Sequence, residues 1–313
     1  MAAQQLGVSQ PALSRYLTKL EQECQLELFY REKKKLKPTQ AGRIYLEAAH
    51  KIIAVQRQAL SSIHALDTGR EKKQLRIGVT PHQGTQAVTK LYPLLRRRFP
   101  QTEFTLFEGY TKALYEAVRT GKTDYLMTTA LPDHYGLRAL PLFEEELLFS
   151  VPVFHNLAAL SSSELDKLGE ANLEDFRDSP FVLMDTTTTI GLLSEKAIQT
   201  AGFQPIVVFQ SANGYLVDEM IRSGVGVGLI PRHYAVPSED VVYFRLRDRW
   251  TFQYCVVVRE DYELSKEERY LTYLQLKIRE ADPGIHFCWS GELRALVDEF
   301  DMDEILPLGK GWL

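Results

Sequence analysis

The sequence holds only three cysteines in 313 residues, Cys24, Cys255 and Cys288. They are too few and too scattered for a disulfide framework or a metal-ligand spacing, which fits a reducing cytoplasm. No apolar run approaches the roughly 20 residues of a membrane span. The N-terminus lacks the charged and apolar regions of a secretory signal, so no membrane association is expected. The words of covalent and metal catalysis are missing as well. There is no GxSxG elbow, HExxH helix or phosphate-loop word, and the seven histidines are dispersed. Neither an enzyme nor a cofactor nor a metal site is therefore expected. The run Glu144-Glu145-Glu146 reads as a solvated strand edge rather than an acid–base pair.

What is present begins with charge. A hydrophobic fraction of 45% and a charged fraction of 25% are ordinary for a globular protein. The net charge of -4 conceals an asymmetry. Residues 1–74 carry 13 Lys and Arg against 7 Asp and Glu, and the remainder carries 24 against 34. A basic head on an acidic body suits phosphate contact at one end. Within that head lies Val8-Ser9-Gln10-Pro11-Ala12-Leu13-Ser14-Arg15. Ser9 is a good helix N-cap, and Pro11 fits a first turn that needs no N–H. Leu13, Leu17 and Leu20, with Tyr16, recur at helical spacing and mark one apolar face. Gln10, Ser14, Arg15, Thr18 and Lys19 occupy the other, and such side chains reach base edges and phosphates from a major-groove helix. Upstream, Ala2-Ala3-Gln4-Gln5-Leu6 reads as a short helix and Gly7 as a tight turn, completing a helix-turn-helix pattern.

The words "GVSQPALSRYLTKLEQE" and "LFYREKKKLKPTQAG", in order between Ala2 and Gly42, resemble the DNA-binding region of the LysR-type transcriptional regulators. The resemblance implies a winged helix-turn-helix over residues 1–40. Its contacts to double-stranded DNA would come from Ser9, Gln10, Pro11, Ser14, Arg15, Thr18 and Lys19 of the recognition helix. Arg31, Lys33, Lys34 and Lys35 of the wing would neutralise phosphates without reading sequence. The family carries one more helix ahead of this point. Here Met1 stands almost directly before the second helix, so either the true start lies upstream or the DNA-binding domain is truncated. The alternative reading follows: a cytoplasmic small-molecule-binding protein that has lost DNA binding. A glycine that the family commonly places near Gln25 is also absent.

Thr39 can cap a long helix, since Gln40 to Leu66 contains no proline. Ile44, Ala48, Ile52, Val55, Ala59, Ile63 and Leu66 make a stripe that needs a partner. By resemblance, residues 41–68 are a linker helix that pairs with a second copy. Two-fold symmetric DNA sites need two recognition helices, so a homodimer or homotetramer is expected. RNA polymerase is a further candidate partner. Asp67 to Gln74 is a polar hinge.

Beyond it, strands alternate with helices, the mark of βαβ units and a mainly parallel sheet. The resemblance implies a two-lobed α/β effector domain, similar to periplasmic binding proteins, over residues 69–280. Lobe I takes 75–153 and 252–280, and lobe II takes 154–251. Gly224 to Pro231 reads as a strand of lobe II. Its glycines follow a helix and precede a strand, the reverse of a phosphate-binding fingerprint. Residues 281–313 lie past the resemblance and carry 7 acidic against 2 basic residues. Leu293, Leu296, Val297 and Phe300 would share one helix face there, as an appendage packed on the regulatory domain.

In open α/β sheets ligands bind beyond the carboxyl ends of the strands, where helix N-termini favour anions. Thr80, His82 and Gln83 follow the first strand, and Thr128 and Thr129 end the third. Thr188 and Thr189 precede a helix of the second lobe, with Gln210 and Ser211 beside them. These nine residues are the candidate contacts for a small anionic effector. For each threonine the competing role is capping its own helix.

Overall fold

Ser9 starts α1 (Gln10–Cys24): its Oγ accepts from Ala12 N at 3.3 Å, with Pro11 in the first turn. Leu13, Leu17 and Leu20 are half-buried on one side. Tyr16 does not join them: it is 67% exposed, because one residue before Leu17 is about 100° round the helix. The helix ends at Gln25, whose φ of 53° is left-handed, and the N–H groups of Gln25 and Leu26 close onto Gln22 O and Glu21 O. A non-glycine residue therefore makes the turn that usually takes glycine.

The computed structural model describes residues 7–32, 35–67, 74–81, 83–131, 136–280, 282 and 284–301. The short helix expected over residues 2–6, Lys33 and Lys34, most of the hinge, His82 and the last residues of the acidic extension lie outside them.

The described chain forms two compact units, one ending at His64 and a larger one beginning at Ala65. In the first, β1 (Phe29–Glu32) and β2 (Lys35–Pro38) pair antiparallel as a wing. The Glu21 carboxylate ties α1 to it by accepting from Leu28 N and Phe29 N at 2.9 and 3.1 Å. Thr39 then caps α2 (Gln40–Asp67): its Oγ1 accepts from Gly42 N and donates to Glu27 O. Gly42 lies so close to the buried Leu28 that an added Cβ would sit 1.9 Å from the Leu28 carbonyl oxygen. With 28 residues, α2 is about 42 Å long. Ile44, Ile52, Val55 and Ile63 of its apolar stripe are each more than half exposed.

The larger unit has two lobes. In lobe I, β3 (Gln74–Val79) lies between β4 (Glu103–Glu108) and β5 (Tyr125–Thr129), all parallel. Helices α3 (Gln83–Arg98) and α4 (Thr111–Arg119) connect them. The sheet continues antiparallel through β12 (Thr251–Arg259) to β6 (Leu137–Pro152). Leu75, Ile77, Leu91 and Leu95 pack there on α7 (Lys266–Lys277).

In lobe II, β8 (Pro180–Met184) pairs parallel with β9 (Ile206–Ser211), and α5 (Thr189–Thr200) runs between them. After α6 (Gly214–Arg222), β10 (Gly228–Pro231) pairs with β6, as does β11 (Val241–Leu246), which also carries the short β7 (Gly169–Ala171). The strand read over Gly224–Pro231 is thus shorter than its sequence suggests. Gly224 at φ +79° belongs to the turn that ends α6, and Gly226 and Gly228 let the strand approach the Pro180 and Val182 carbonyls. No helix among the described residues is long and apolar enough to cross a membrane.

One strand serves both lobes. Residues 137–146 of β6 pair with β12, and residues 147–152 pair with β10 and β11.

Candidate nucleic-acid interface and effector cleft

On α1 the polar face is open. Gln10, Pro11, Ser14, Arg15, Thr18 and Lys19 are exposed, and no residue of the helix is buried. Two of these side chains already have partners. Thr18 Oγ1 donates to Ser14 O at 3.0 Å, and Lys19 faces Glu23 at 3.8 Å one turn on. Ser9 is used as the cap. The wing register pairs Glu32 with Lys35, and Arg31 and Lys35 belong to its strands; Lys33 and Lys34 lie outside the described residues.

The cleft follows from strand register. Val79 pairs with Met127, so Thr80 and Thr128 leave neighbouring parallel strands at the same end. Thr129 pairs with Tyr254, which pairs with Phe143 of β6. In lobe II, Met184 pairs with Ser211, and Pro231 at the end of β10 pairs with Leu147 of β6. Strand β5 runs with β6 and β10 runs against it, so the carboxyl ends of the two lobes face each other. Four positions along β6, about 13 Å, separate them.

The candidate hydroxyls divide into two kinds. Thr188 is an N-cap: its Oγ1 accepts from Gly191 N at 3.0 Å and donates to Asp185 O at 2.7 Å. Ser211 Oγ accepts from Asn213 N at 3.1 Å. By contrast, the hydroxyl oxygens of Thr80, Thr128 and Thr189 are buried and make no hydrogen bond among the described residues. Buried polar atoms without partners are rare enough to need an explanation. Here all three sit at the facing strand and helix ends, beside the N-termini of α3 and α5. Thr129 is buried, Gln210 is exposed on β9, and Gln83 opens α3.

The floor of this region overturns one expectation. Glu144-Glu145-Glu146 is not a solvated edge, because β6 continues into the second lobe and is covered there. Glu145 is fully buried, and its Oε1 accepts from His233 N at 2.6 Å and lies 2.6 Å from His233 Nδ1. Burial alone would raise its carboxyl, but the charge and hydrogen bonds of His233, and Arg279 beyond, bring it below the usual carboxylate range. Glu146 pairs with the buried Arg232 at 3.0 Å, and Glu144 accepts from Gln253 at 3.3 Å. Sequence reasoning missed this network, since Glu145 and His233 are 88 residues apart.

Two of the three thiols are shifted away from the thiolate form. Burial pushes Cys255 on β12 up to about 12, and burial followed by Glu144 raises Cys288.

Two family models match the chain. Residues 68–273 match the "LysR substrate binding domain", and residues 1–43 match "Bacterial regulatory helix-turn-helix protein, lysR family". The HTH-type transcriptional regulator XapR of Escherichia coli is 28% identical over 250 residues, covering 78% of this chain and 80% of that one. The hydrogen peroxide-inducible genes activator of Haemophilus influenzae is 26% identical over 231 residues, covering 74% and 73%. Among solved structures, the effector binding domain of QuiR in complex with shikimate superposes with a TM-score of 0.55 at 16% identity, covering 67% of this chain and 99% of that chain.

Proposed function

The chain belongs to the LysR family of transcriptional regulators, with an effector-binding domain behind a helix-turn-helix region, and on that premise we propose how it works. It acts in the cytoplasm as a homo-oligomer on double-stranded DNA. Gln10, Ser14, Arg15 and Thr18 of α1 read bases, and the wing lysines hold phosphates. Two copies pair along the exposed stripe of α2, which otherwise leaves Ile44, Ile52, Val55 and Ile63 in water.

The signal is a small carboxylate with hydroxyl groups, bound between the lobes. The observation that carries this reading is the trio of unpartnered hydroxyls, Thr80, Thr128 and Thr189, beside two helix N-termini. Thr129, His82, Gln83, Gln210 and Ser211 are candidate contacts around them; Thr188 acts by holding α5 in place. QuiR binds a molecule of this chemical class, shikimate.

The effector changes DNA binding only as far as it prefers one lobe arrangement over the other. A panel of small hydroxylated carboxylates and their methyl esters, screened by the shift in melting temperature of the whole chain, tests the ligand class. Acids are expected to stabilise and esters not to; stabilisation by esters alone would reject an anionic effector. A salt titration of binding to the gene's own upstream DNA tests the head. A steep loss of affinity with salt supports regulation through DNA, and no binding at low salt supports the reading that DNA binding has been lost.

A further inference from the structure

The family match ends at residue 273, inside α7. The chain then turns toward the crossover. Asp282 Oδ1 accepts from Arg232 Nε at 3.2 Å and from Gly284 N at 2.9 Å. Arg232 follows β10 in lobe II and is 2% exposed, and its Nη1 is 3.0 Å from Glu146 of the shared strand. Backbone packs directly on this guanidinium: a Cβ added at Gly284 would lie 1.9 Å from Arg232 Nε.

Next, β13 (His286–Phe287) adds to β6 opposite Glu144 and Phe143, and Cys288 N donates to Leu142 O at 2.9 Å. Finally α8 (Gly291–Asp301) doubles back on α7. It buries Leu293, Leu296 and Phe300, with the Phe300 ring 5.2 Å from Tyr270 and 5.5 Å from Tyr273. Arg269 pairs with Glu299 along the same contact. One end of the segment is therefore fixed to lobe I, and the other grips an arginine of lobe II beside the only strand that both lobes share among the described residues.

We propose that Asp282 and residues 284–301 form a clasp across the lobe crossover, which sets the spacing of the lobes and opposes their rearrangement. Glu146 stays with Arg232 if Asp282 leaves, but the buried Nε then loses its carboxylate acceptor, a cost that opposes parting them. Any lobe motion must therefore carry Asp282 with Arg232 or part them. The clasp biases the two-state equilibrium toward the arrangement in which they meet, whichever ligand enters the cleft. The inference depends on the two lobes alone, and stands apart from whether the head binds DNA.

The test uses the full chain with spin labels at Lys112 on α4 and Glu195 on α5, both exposed. The labels are attached through ketone-bearing unnatural residues, leaving the cysteines intact, and labelled chain is diluted with unlabelled chain so that only intramolecular distances are read. Pulsed electron–electron resonance then gives the distance between the lobes. Asp282→Ala is expected to shift that distance or broaden its distribution at least twofold. Glu299→Gln, which cuts the Arg269 pair within lobe I, is expected to reproduce the parent. An Asp282→Ala distribution that superposes on the parent would overturn the proposal. So would an equal change in Glu299→Gln, since that would mean general loosening of the appendage. Should Asp282→Ala lose its circular-dichroism signal, Asp282→Asn carries the same two expectations, because it weakens the ion pair and keeps an acceptor for Gly284 N.

Discussion

The recognition helix α1 and the crossover strand β6 are nearly equal in length, 15 and 16 residues, and both carry polar side chains at their middle. Their environments are opposite. On α1 no residue is buried, and Arg15, Thr18 and Lys19 point into water. On β6, Glu145 is fully buried and Glu146 nearly so, each paired with a residue of lobe II. Charge left outside is free to meet another molecule. Charge taken inside is consumed in fixing the protein's own geometry. Substitutions in the two elements should therefore separate stability from recognition.

The widest separation is expected from Glu145→Ala. It leaves His233 buried without its carboxylate and should cost about 3–5 kcal/mol of stability in the effector unit. Trp250 and Trp289 lie in that unit and the head has no tryptophan, so fluorescence melts report on it specifically. An unchanged melt would show that burial of this pair is not part of the fold's stability. Gly42→Ala applies the same test to the head. A methyl against the Leu28 carbonyl should destabilise the winged unit by about 1–3 kcal/mol and leave the tryptophan transition in place. Hydrogen exchange of α1 and the wing would detect it.

Arg15→Ala should do the reverse, weakening specific DNA binding by about 1–3 kcal/mol with stability within roughly 0.5 kcal/mol of the parent. Unaltered affinity and site preference would remove Arg15 from base readout. The smallest change expected is a gain. Gln25→Gly relieves a left-handed residue, worth roughly 1 kcal/mol, against a partly offsetting entropy cost in the unfolded chain. A net stabilisation of about 0.5 kcal/mol in the head would show in its exchange rates.

Periodicity carried much of the fold. The leucines of α1, the stripe of α2 and the alternation of strands and helices are local patterns, and the α/β class was legible from them; the division into two lobes was implied by the family resemblance. What escaped was decided elsewhere in the chain. Tyr16 sits beside Leu17 in sequence, so an apolar count absorbed it, although the helix turns it to solvent. Glu144-Glu145-Glu146 looked solvated because its partners, His233 and Arg232, come more than eighty residues later. Gly224 looked like strand because its left-handed turn leaves no mark in a glycine-rich word. Among the candidate cleft residues, the strand and helix ends were readable. Whether a threonine caps its helix, as Thr188 does, or keeps its hydroxyl unpaired, as Thr189 does, depends on a one-residue difference in helix start.

The shared strand also sets a timetable. The first half of β6 pairs with β12, which begins at Thr251, about a hundred residues after β6 ends at Pro152. At about 5–20 residues per second of synthesis, that half waits some 5–20 seconds for its neighbour. During this interval the 137–146 half of β6 stands without that neighbour, an open edge of the kind on which nascent chains associate wrongly. Production of this protein should therefore be limited by chaperone capacity at the ribosome rather than by the stability of the finished fold.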